Sequence, residues 1–387
     1  MKDGRPLRIL HCLWHGEIGG AERAVYQLVR EQLRDPRLAP GLAFGQGGGL
    51  YWEAARELGC PVLTFGLRSD RELTRIPAMM RRMREFDVHH FHSANVSILC
   101  ASALVPGARR VYTHRGGSRR YSSRKRLRYR LVGWLLRHRF HALSGNTAHA
   151  ARSAERLFGL PAGRIRTTYN GLDFELLVPK RDRADVRRQL GGADEGTILI
   201  GTAANLRDWK RVDWLIAAAA QMQSGDWRII VIGDGPDRAS LESLARATDP
   251  GGRIQFVGRQ ANVADWLSAL DVFVLPSSES ESFGNAAVEA MALGLPSVVM
   301  RDGGGLLEHV EHNVTGLVAA DVSELAHLIT RLVESRADRV RLGAAGMRHV
   351  RSTYTLESMT REYHELYRTA GIALSGDTQF PPGIRVS

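Results

Sequence analysis

The chain is poor in cysteine: Cys12, Cys60 and Cys100 are the only three in 387 residues. They are odd in number, far apart and form no CxxC pair. That excludes a disulfide framework and a thiolate metal site, and it points to a reducing compartment. No run of about 18 apolar residues exists, so no transmembrane helix is expected. The opening MKDGRPLRILHCLW is too short and too interrupted in its apolar part for a signal peptide. The expected location is therefore cytoplasmic, at most peripheral on the inner face of the cytoplasmic membrane. One absence is local. From Val88 to Ala154 there is no Asp or Glu, whereas thirteen of the 53 Lys and Arg lie there. The net charge of +12 resides in this one stretch. A field so confined points to an anionic partner: lipid head groups, nucleic acid or an acidic substrate.

What is present is ordinary globular material, 44 % apolar and 24 % charged, in a chain long enough for two domains. Strand and helix patterns alternate throughout. Strands are expected at Arg8–Trp14, Ala39–Phe44, Val62–Phe65, Val88–His92, Arg110–Thr113 and His141–Ser144. A second set lies at Leu199–Ala203, Arg228–Ile232, Ile254–Val257, Val272–Leu275 and Ser297–Met300. Helical spacing of apolar residues separates them, as in Ala21–Arg34, Leu73–Phe86, Val212–Met222 and Asn285–Leu293. The alternation implies an α/β architecture of two doubly wound parallel sheets. Expected boundaries are 1–178, a charged linker at 179–196, a second domain at 197–355, a final helix near 356–370 and a tail at 372–387. Ligands of such sheets bind at the carboxyl ends of the strands, so two in series create a cleft.

Several motifs fall at those ends. HGEIGGAER follows the first strand, and Gly19 and Gly20 precede the helix, where backbone N–H groups can approach a diphosphate. A plain tight turn is the competing reading, and the pattern is not the GxGxxG of dinucleotide sites. His92 and His114 end strands and can bond a sugar hydroxyl or move a proton. With 14 histidines in the chain, an ordinary hydrogen-bonded histidine is the alternative for each. Lys210, in NLRDWK, stands where a cation suits a leaving diphosphate; a solvated lysine is the bland alternative. The most specific segment is PSSESESFGNAAVEAMALGLP, Pro276–Pro296. Ser282 is the expected N-cap, and Glu281 and Glu289 bracket the helix start eight residues apart. Free N–H groups at Phe283, Gly284 and Asn285 would meet ligand oxygens between them. GGGLLE, with Gly303–Gly305 and Glu308, repeats the theme after the next strand; a flexible loop is its alternative.

Taken in order, these residues resemble family 4 of the retaining GT-B glycosyltransferases over nearly the whole chain. GGAER, His114, Lys210, DVFVLPS at Asp271–Ser277 and the Glu-x7-Glu run from Glu281 to Pro296 carry the resemblance, with GGGLLE and NVTGLV at Asn313–Val318 in support. It implies a GT-B fold with an acceptor-side first domain, a nucleotide-sugar second domain and a final helix crossing back onto the first. It implies donor contacts from Gly19, Gly20, Lys210, Phe283, Gly284, Asn285 and Glu289, with Glu289 on the ribose hydroxyls and Lys210 on the diphosphate. His114 and Glu281 would contact the sugar and are the catalytic candidates. No cofactor or divalent metal is implied. The acceptor would attack from the leaving-group side, the phosphate helping to take the proton. The family carries an Arg five to six residues before the lysine. Here Asn205 stands in that place, and Arg207 is the candidate to supply the charge. UDP is the expected base, GDP the second.

The segment Arg119–Phe140 spaces Leu127, Leu131, Trp134 and Leu135 at helical intervals among arginines. A cationic amphipathic helix of this kind suits an anionic membrane surface, with Arg119, Arg120, Arg124, Lys125, Arg126 and Trp134 as its contacts. The competing reading packs the apolar face into the core. The resemblance then favours a glycan or lipid-linked acceptor in cell-surface polysaccharide or glycolipid synthesis. Two other functions stay open on the residues: a sugar-nucleotide epimerase on the same fold, and a nucleic-acid-binding protein using the basic segment 109–139. The paired glutamates and Lys210 favour transfer over epimerisation. No recognised nucleic-acid motif is present, so no nucleic-acid partner is expected.

Overall fold

A computed structural model describes residues 5–69, 72–118, 123–190, 196–222 and 225–372, with the side chains of 123–126 outside that description. The first part runs β1 (Leu7–Leu13), α1 (Gly20–Gln32), β2 (Leu38–Phe44), α2 (Leu50–Arg56), β3 (Val62–Thr64), α3 (Ile76–Met83), β4 (Val88–Phe91), α4 (Val96–Ala103), β5 (Arg109–His114), α5 (Ser123–Arg139), β6 (Ala142–Gly145), α6 (Ala148–Phe158) and β7 (Arg166–Thr167). After α7 (Arg183–Gln189) come β8 (Ile198–Ala203), α8 (Val212–Ala219), β9 (Trp227–Ile232), α9 (Arg238–Thr248), β10 (Ile254–Gly258), α10 (Val263–Ala269), β11 (Val272–Leu275), α11 (Asn285–Ala292), β12 (Ser297–Met300) and β13 (Leu317–Ala319). Three helices follow: α12 (Val322–Glu334), α13 (Arg336–Thr353) and α14 (Leu356–Thr369).

Both sheets are parallel. The first has the order β3-β2-β1-β4-β5-β6-β7 and the second β10-β9-β8-β11-β12-β13. In each, the strand order reverses beside the first strand of the set, between β1 and β4 and between β8 and β11. Crevices open at the carboxyl ends there. The strands are short apolar runs because helices cover both faces. Thus all four residues of β11, VFVL, are buried. Leu10, Phe91, Tyr112 and Leu143 pack against α3 to α6 on one side of the first sheet. On its other side Ile9, Val88 and Val111 meet Met359, Tyr363 and Tyr367 of α14. The last helix therefore returns to the first sheet. Ile372, at the start of the expected tail, is buried with it, and residues 373–387 lie outside the described set. The segment 179–196 contains α7; its Val186, and Leu190 just after it, are buried among second-sheet residues.

Candidate active site

The cleft is built where loops after β1 and β5 of the first sheet meet those after β8, β11 and β12 of the second. The loops touch at Gly117, where a Cβ would lie 2.3 Å from the Ser280 carbonyl oxygen. Ser118 donates its N–H to the Glu279 carbonyl at 2.9 Å. A side chain at 117 would push the two loops apart.

The loop after β11 leads into α11 through Gly284, the N-cap, at φ 78° and ψ 52°. A Cβ there would stand 2.2 Å from Leu306 Cδ2, so both backbone and space require glycine. Ser282 is not the cap. Its hydroxyl donates to the Arg115 carbonyl at 3.1 Å and its own carbonyl accepts from Thr147 at 2.7 Å, because the left-handed turn moves the helix start two residues on. The N-cap residues of both α11 and α1 are glycines, Gly284 and Gly19, and offer no capping side chain; in the first turn of α1 the Glu22 carboxylate takes its own backbone N–H. The two helix starts face each other across the cleft: the Asn285 amide donates to the Gly20 carbonyl at 3.4 Å. Backbone N–H groups and two dipole ends thus converge on one spot.

Both glutamates of the motif are buried. Glu281 accepts from the Lys210 ammonium at 2.5 Å. Lys210 closes a 3₁₀ turn, Asp208–Lys210, after β8. The next residue, Arg211, holds a left-handed conformation at φ 50° and is tied down by both oxygens of Asp302, at 2.7 and 2.8 Å. Glu289, one turn into α11, takes an ion pair from Arg23 of α1, across the cleft. Burial pushes the Glu289 carboxyl upward and the Arg23 charge opposes that. Arg23 lies in the GGAER motif, yet its partner sits 266 residues away, so its role was invisible in the sequence.

His114 ends β5. Its Nδ1 meets the Tyr112 hydroxyl at 3.1 Å, and its Nε2 is buried beside the Gly116 backbone with no side-chain partner among the described residues. Burial holds its pKa at about 4, so the ring is neutral near pH 7. His92 does not face the cleft as expected. It is 4 % exposed and forms a buried cluster with His11 and His90, all three ligand atoms within 4.8 Å. Each ring nitrogen there already has a protein partner: His11 with His92 and Gln32, His90 with Tyr367 and Thr113, His92 with His11 and Arg115.

Phe283 is a core side chain, edge-on to His309 and Tyr354, so only its backbone N–H can serve a ligand. Asn205 and Arg207 are exposed. The glycines of GGGLLE serve packing: a Cβ on Gly304 would lie 2.5 Å from the Glu281 carbonyl oxygen. Glu308 accepts from the Ala148 and His149 N–H groups at the start of α6, at 2.9 and 2.7 Å, and from the Tyr169 hydroxyl at 3.0 Å. It clamps the two halves together.

The basic segment forms α5. Val132 and Leu136 enter the core, whereas Leu127, Leu131 and Trp134 are 64 %, 66 % and 62 % exposed. The helix is apolar on both sides, and the reading in which those three residues are core does not hold. Leu135 packs partly against the core. Arg124, Lys125 and Arg126 lie on α5; Arg119 and Arg120 fall outside the described residues.

Two family models match this chain. Residues 18–176 match Glycosyltransferase Family 4 and residues 197–335 match Glycosyl transferases group 1. It is 30 % identical over 210 residues to N-acetyl-alpha-D-glucosaminyl L-malate synthase of Bacillus anthracis, covering 54 % of each chain. It is 32 % identical over 229 residues to D-inositol 3-phosphate glycosyltransferase of Thermomonospora curvata, covering 54 % of this chain and 53 % of that one. The chain spans about half the length of the curated relatives it matches. In fold it is similar to HepE of Anabaena, solved in complex with UDP and glucose, with a TM-score of 0.81 at 21 % identity over 94 % of this chain and 100 % of that one. With both sheets, the facing helix starts and the paired glutamates in place, the chain belongs to the GT-B glycosyltransferases of group 1.

Proposed function

We propose that the chain transfers a hexose from a nucleoside diphosphate donor, UDP first, to a glycan or lipid-linked acceptor, with retention and without a metal. It would work peripherally on the anionic inner face of the cytoplasmic membrane, in polysaccharide or glycolipid synthesis. One observation carries the reading. Two buried carboxylates, each paired with a cation, flank two glycine-capped helix starts that face each other across the cleft.

In this reading Glu289 accepts from the ribose hydroxyls. The N–H groups at the starts of α1 and α11 meet the diphosphate, and Lys210 stabilises the charge that grows on it as the sugar bond breaks. These positive groups supply the field that a metal would otherwise give. Glu281 orients Lys210 and accepts from sugar hydroxyls. Neutral His114 offers its Nε2 to the sugar. The solved neighbour's complex with UDP and glucose supports UDP as the first donor to test. The exposed Leu127, Leu131 and Trp134, in a stretch without acids, support the membrane part.

A thermal-shift screen of UDP, GDP, ADP and their sugar conjugates, with EDTA present and repeated on Glu289→Ala, tests the reading. A selective rise that disappears in the variant names the base. No rise with any nucleotide removes donor binding, and with it the proposed transfer.

A further inference from the structure

Arg115 follows His114 directly and leans over the end of β4, at the crevice where the first sheet reverses its order. The side chain is half-buried and held by three acceptors. Its Nε donates to His92 Nδ1 at 3.2 Å, one terminal nitrogen to Asn170 Oδ1 at 2.5 Å, and the other to the Tyr363 hydroxyl at 2.8 Å. Asn170 in turn donates to Asn285 at 3.3 Å, and Asn285 to the Gly20 carbonyl. The guanidinium is therefore two hydrogen bonds from the start of α11 and three from the start of α1.

The network behind Arg115 has one direction. A guanidinium only donates, so His92 Nδ1 accepts and the proton of neutral His92 sits on Nε2. That proton is donated to His11 Nδ1 at 3.0 Å, and His11 Nε2–H is donated to Gln32 Oε1 at 2.7 Å. The Gln32 amide donates to the Tyr367 hydroxyl at 3.2 Å, and that hydroxyl pairs with His90 Nδ1 at 2.9 Å. His90 Nε2 pairs with Thr113 Oγ1 at 2.8 Å. Every ring nitrogen of the three histidines has a protein partner, and none of those partners is a carboxylate. Burial keeps the three histidines neutral, with pKa values pushed below the usual range. Among the described residues no carboxylate forms an ion pair with Arg115. Glu22 feels its charge without touching it and lies 3.5 Å from His15. Three of the five guanidinium N–H groups are used, which leaves two for a ligand.

A half-buried cation costs stability unless a counter-charge arrives. This one is pinned in a directed scaffold, and among the described residues Glu22, which senses its charge, makes no ion pair with it. We propose that Arg115 is a fixed oxyanion-binding group of the cleft, taking a phosphate-type or carboxylate oxygen pair from the substrate. It, and not exposed Arg207, would then be the second cation beside Lys210 in a chain that carries Asn205 at the family's arginine position. The inference rests on the cleft being the donor site. The oxyanion has two sources there, the donor diphosphate or an acidic group on the acceptor.

The test compares wild type, Arg115→Gln, Arg115→Lys and Arg207→Gln by titration with UDP, uridine and inorganic phosphate. Loss of at least about tenfold in UDP affinity in Arg115→Gln, with uridine unchanged and Arg207→Gln like wild type, supports the diphosphate as source. Unchanged UDP affinity, with loss of a phosphate site that UDP-saturated wild type still shows, supports an acceptor anion. Partial recovery in Arg115→Lys, at unchanged Tm, separates the charge from a folding role. UDP and phosphate binding in Arg115→Gln equal to wild type overturns the inference. Wild type that binds phosphate at Arg115 but no nucleotide overturns the donor reading instead and leaves the anion site standing.

Discussion

Arg23 of α1 and Glu289 of α11 form an ion pair that joins the two halves of the molecule through the carboxylate expected to hold the nucleotide ribose. Only one Glu289 oxygen is used by that pair, so the other remains for hydroxyls. The pair also decides the charge on Glu289. Burial raises the carboxyl above its ordinary value of 4.5 and Arg23 pulls it back; Tyr51 is the other titratable group that senses it. Protonated Glu289 would be a poorer acceptor for ribose. UDP affinity should therefore fall as pH drops toward the Glu289 pKa. In Arg23→Met the midpoint of that fall should rise by about one unit or more. Arg23→Lys should restore it. The check is UDP affinity between roughly pH 4.5 and 8 for the three proteins. A midpoint that stays put in Arg23→Met removes the pair from donor binding.

Buried histidines predict how the fold responds to acid. His11, His89 and His114 are held at about 4 by burial, and His309 at about 3. The sign is fixed by which state binds more protons. Between the folded values and the unfolded value of 6.5, the unfolded chain is the more protonated. Stability contributed by neutral histidines is thus complete above pH 6.5 and is lost as pH falls toward 4. Each group contributes a slope of about 1.4 kcal/mol per pH unit inside that window. Urea midpoints from pH 8 to 4.5 should fall steeply below 6.5. Glu289 opposes this trend, since a carboxyl raised by burial favours the fold at low pH and loses that contribution as pH climbs through its folded pKa. A flat midpoint would mean that the histidines are not buried neutral.

His114 itself should act without titrating. With its pKa at about 4, activity between pH 5 and 8 should show no step from this residue. His114→Ala should lower kcat by at least about tenfold, the loss of one strong hydrogen bond to the sugar, with little change in UDP affinity. A pH step that vanishes in His114→Ala would instead make the residue a proton-transfer group.

The strand–helix alternation was legible because most strands are short apolar runs with glycine or polar ends. Two-residue β7 and three-residue β13 are too short to carry any period and were not expected. Glu281 and Glu289 were legible because their spacing and the surrounding loop are local. The roles of Arg23, Arg115 and Glu308 were not, because their partners lie 23 to 266 residues away. His92 misled for a related reason. A strand-end histidine points to a cleft unless something covers it, and here the cover includes α14 from the far end of the chain.

Gly284 should tolerate no side chain. Its left-handed φ costs an L-residue about 1 kcal/mol, and the clash with Leu306 adds to that. Gly284→Ala should lose roughly 1–3 kcal/mol and displace the N–H groups that start α11. UDP affinity should fall with Tm. Gly107→Ala makes the control, since its φ of 75° is equally left-handed but nothing lies within 4 Å of a Cβ there. It should lose stability alone. If both variants bind UDP like wild type, the α11 start does not hold the diphosphate.

Leu127, Leu131 and Trp134 project on α5 at intervals of four and three residues, beside a core face made of Val132 and Leu136. Because they are exposed, replacing all three with Ser should change Tm by little. In water they add little to packing, Trp134 only resting against His138. At a bilayer their burial adds to the attraction of a stretch that carries thirteen Lys and Arg and no acid. The triple variant should therefore lose binding to phosphatidylserine-containing vesicles while keeping UDP affinity. Removing arginines of α5 should have the same effect, and raising salt from about 0.1 to 0.5 M should weaken wild type further. Neutral vesicles should bind neither protein. Co-sedimentation reads all of these, and vesicle binding that survives both sets of substitutions would remove α5 as the membrane surface. A polynucleotide that displaces the protein from vesicles, and binds the triple variant as well as wild type, would instead assign the charge to nucleic acid.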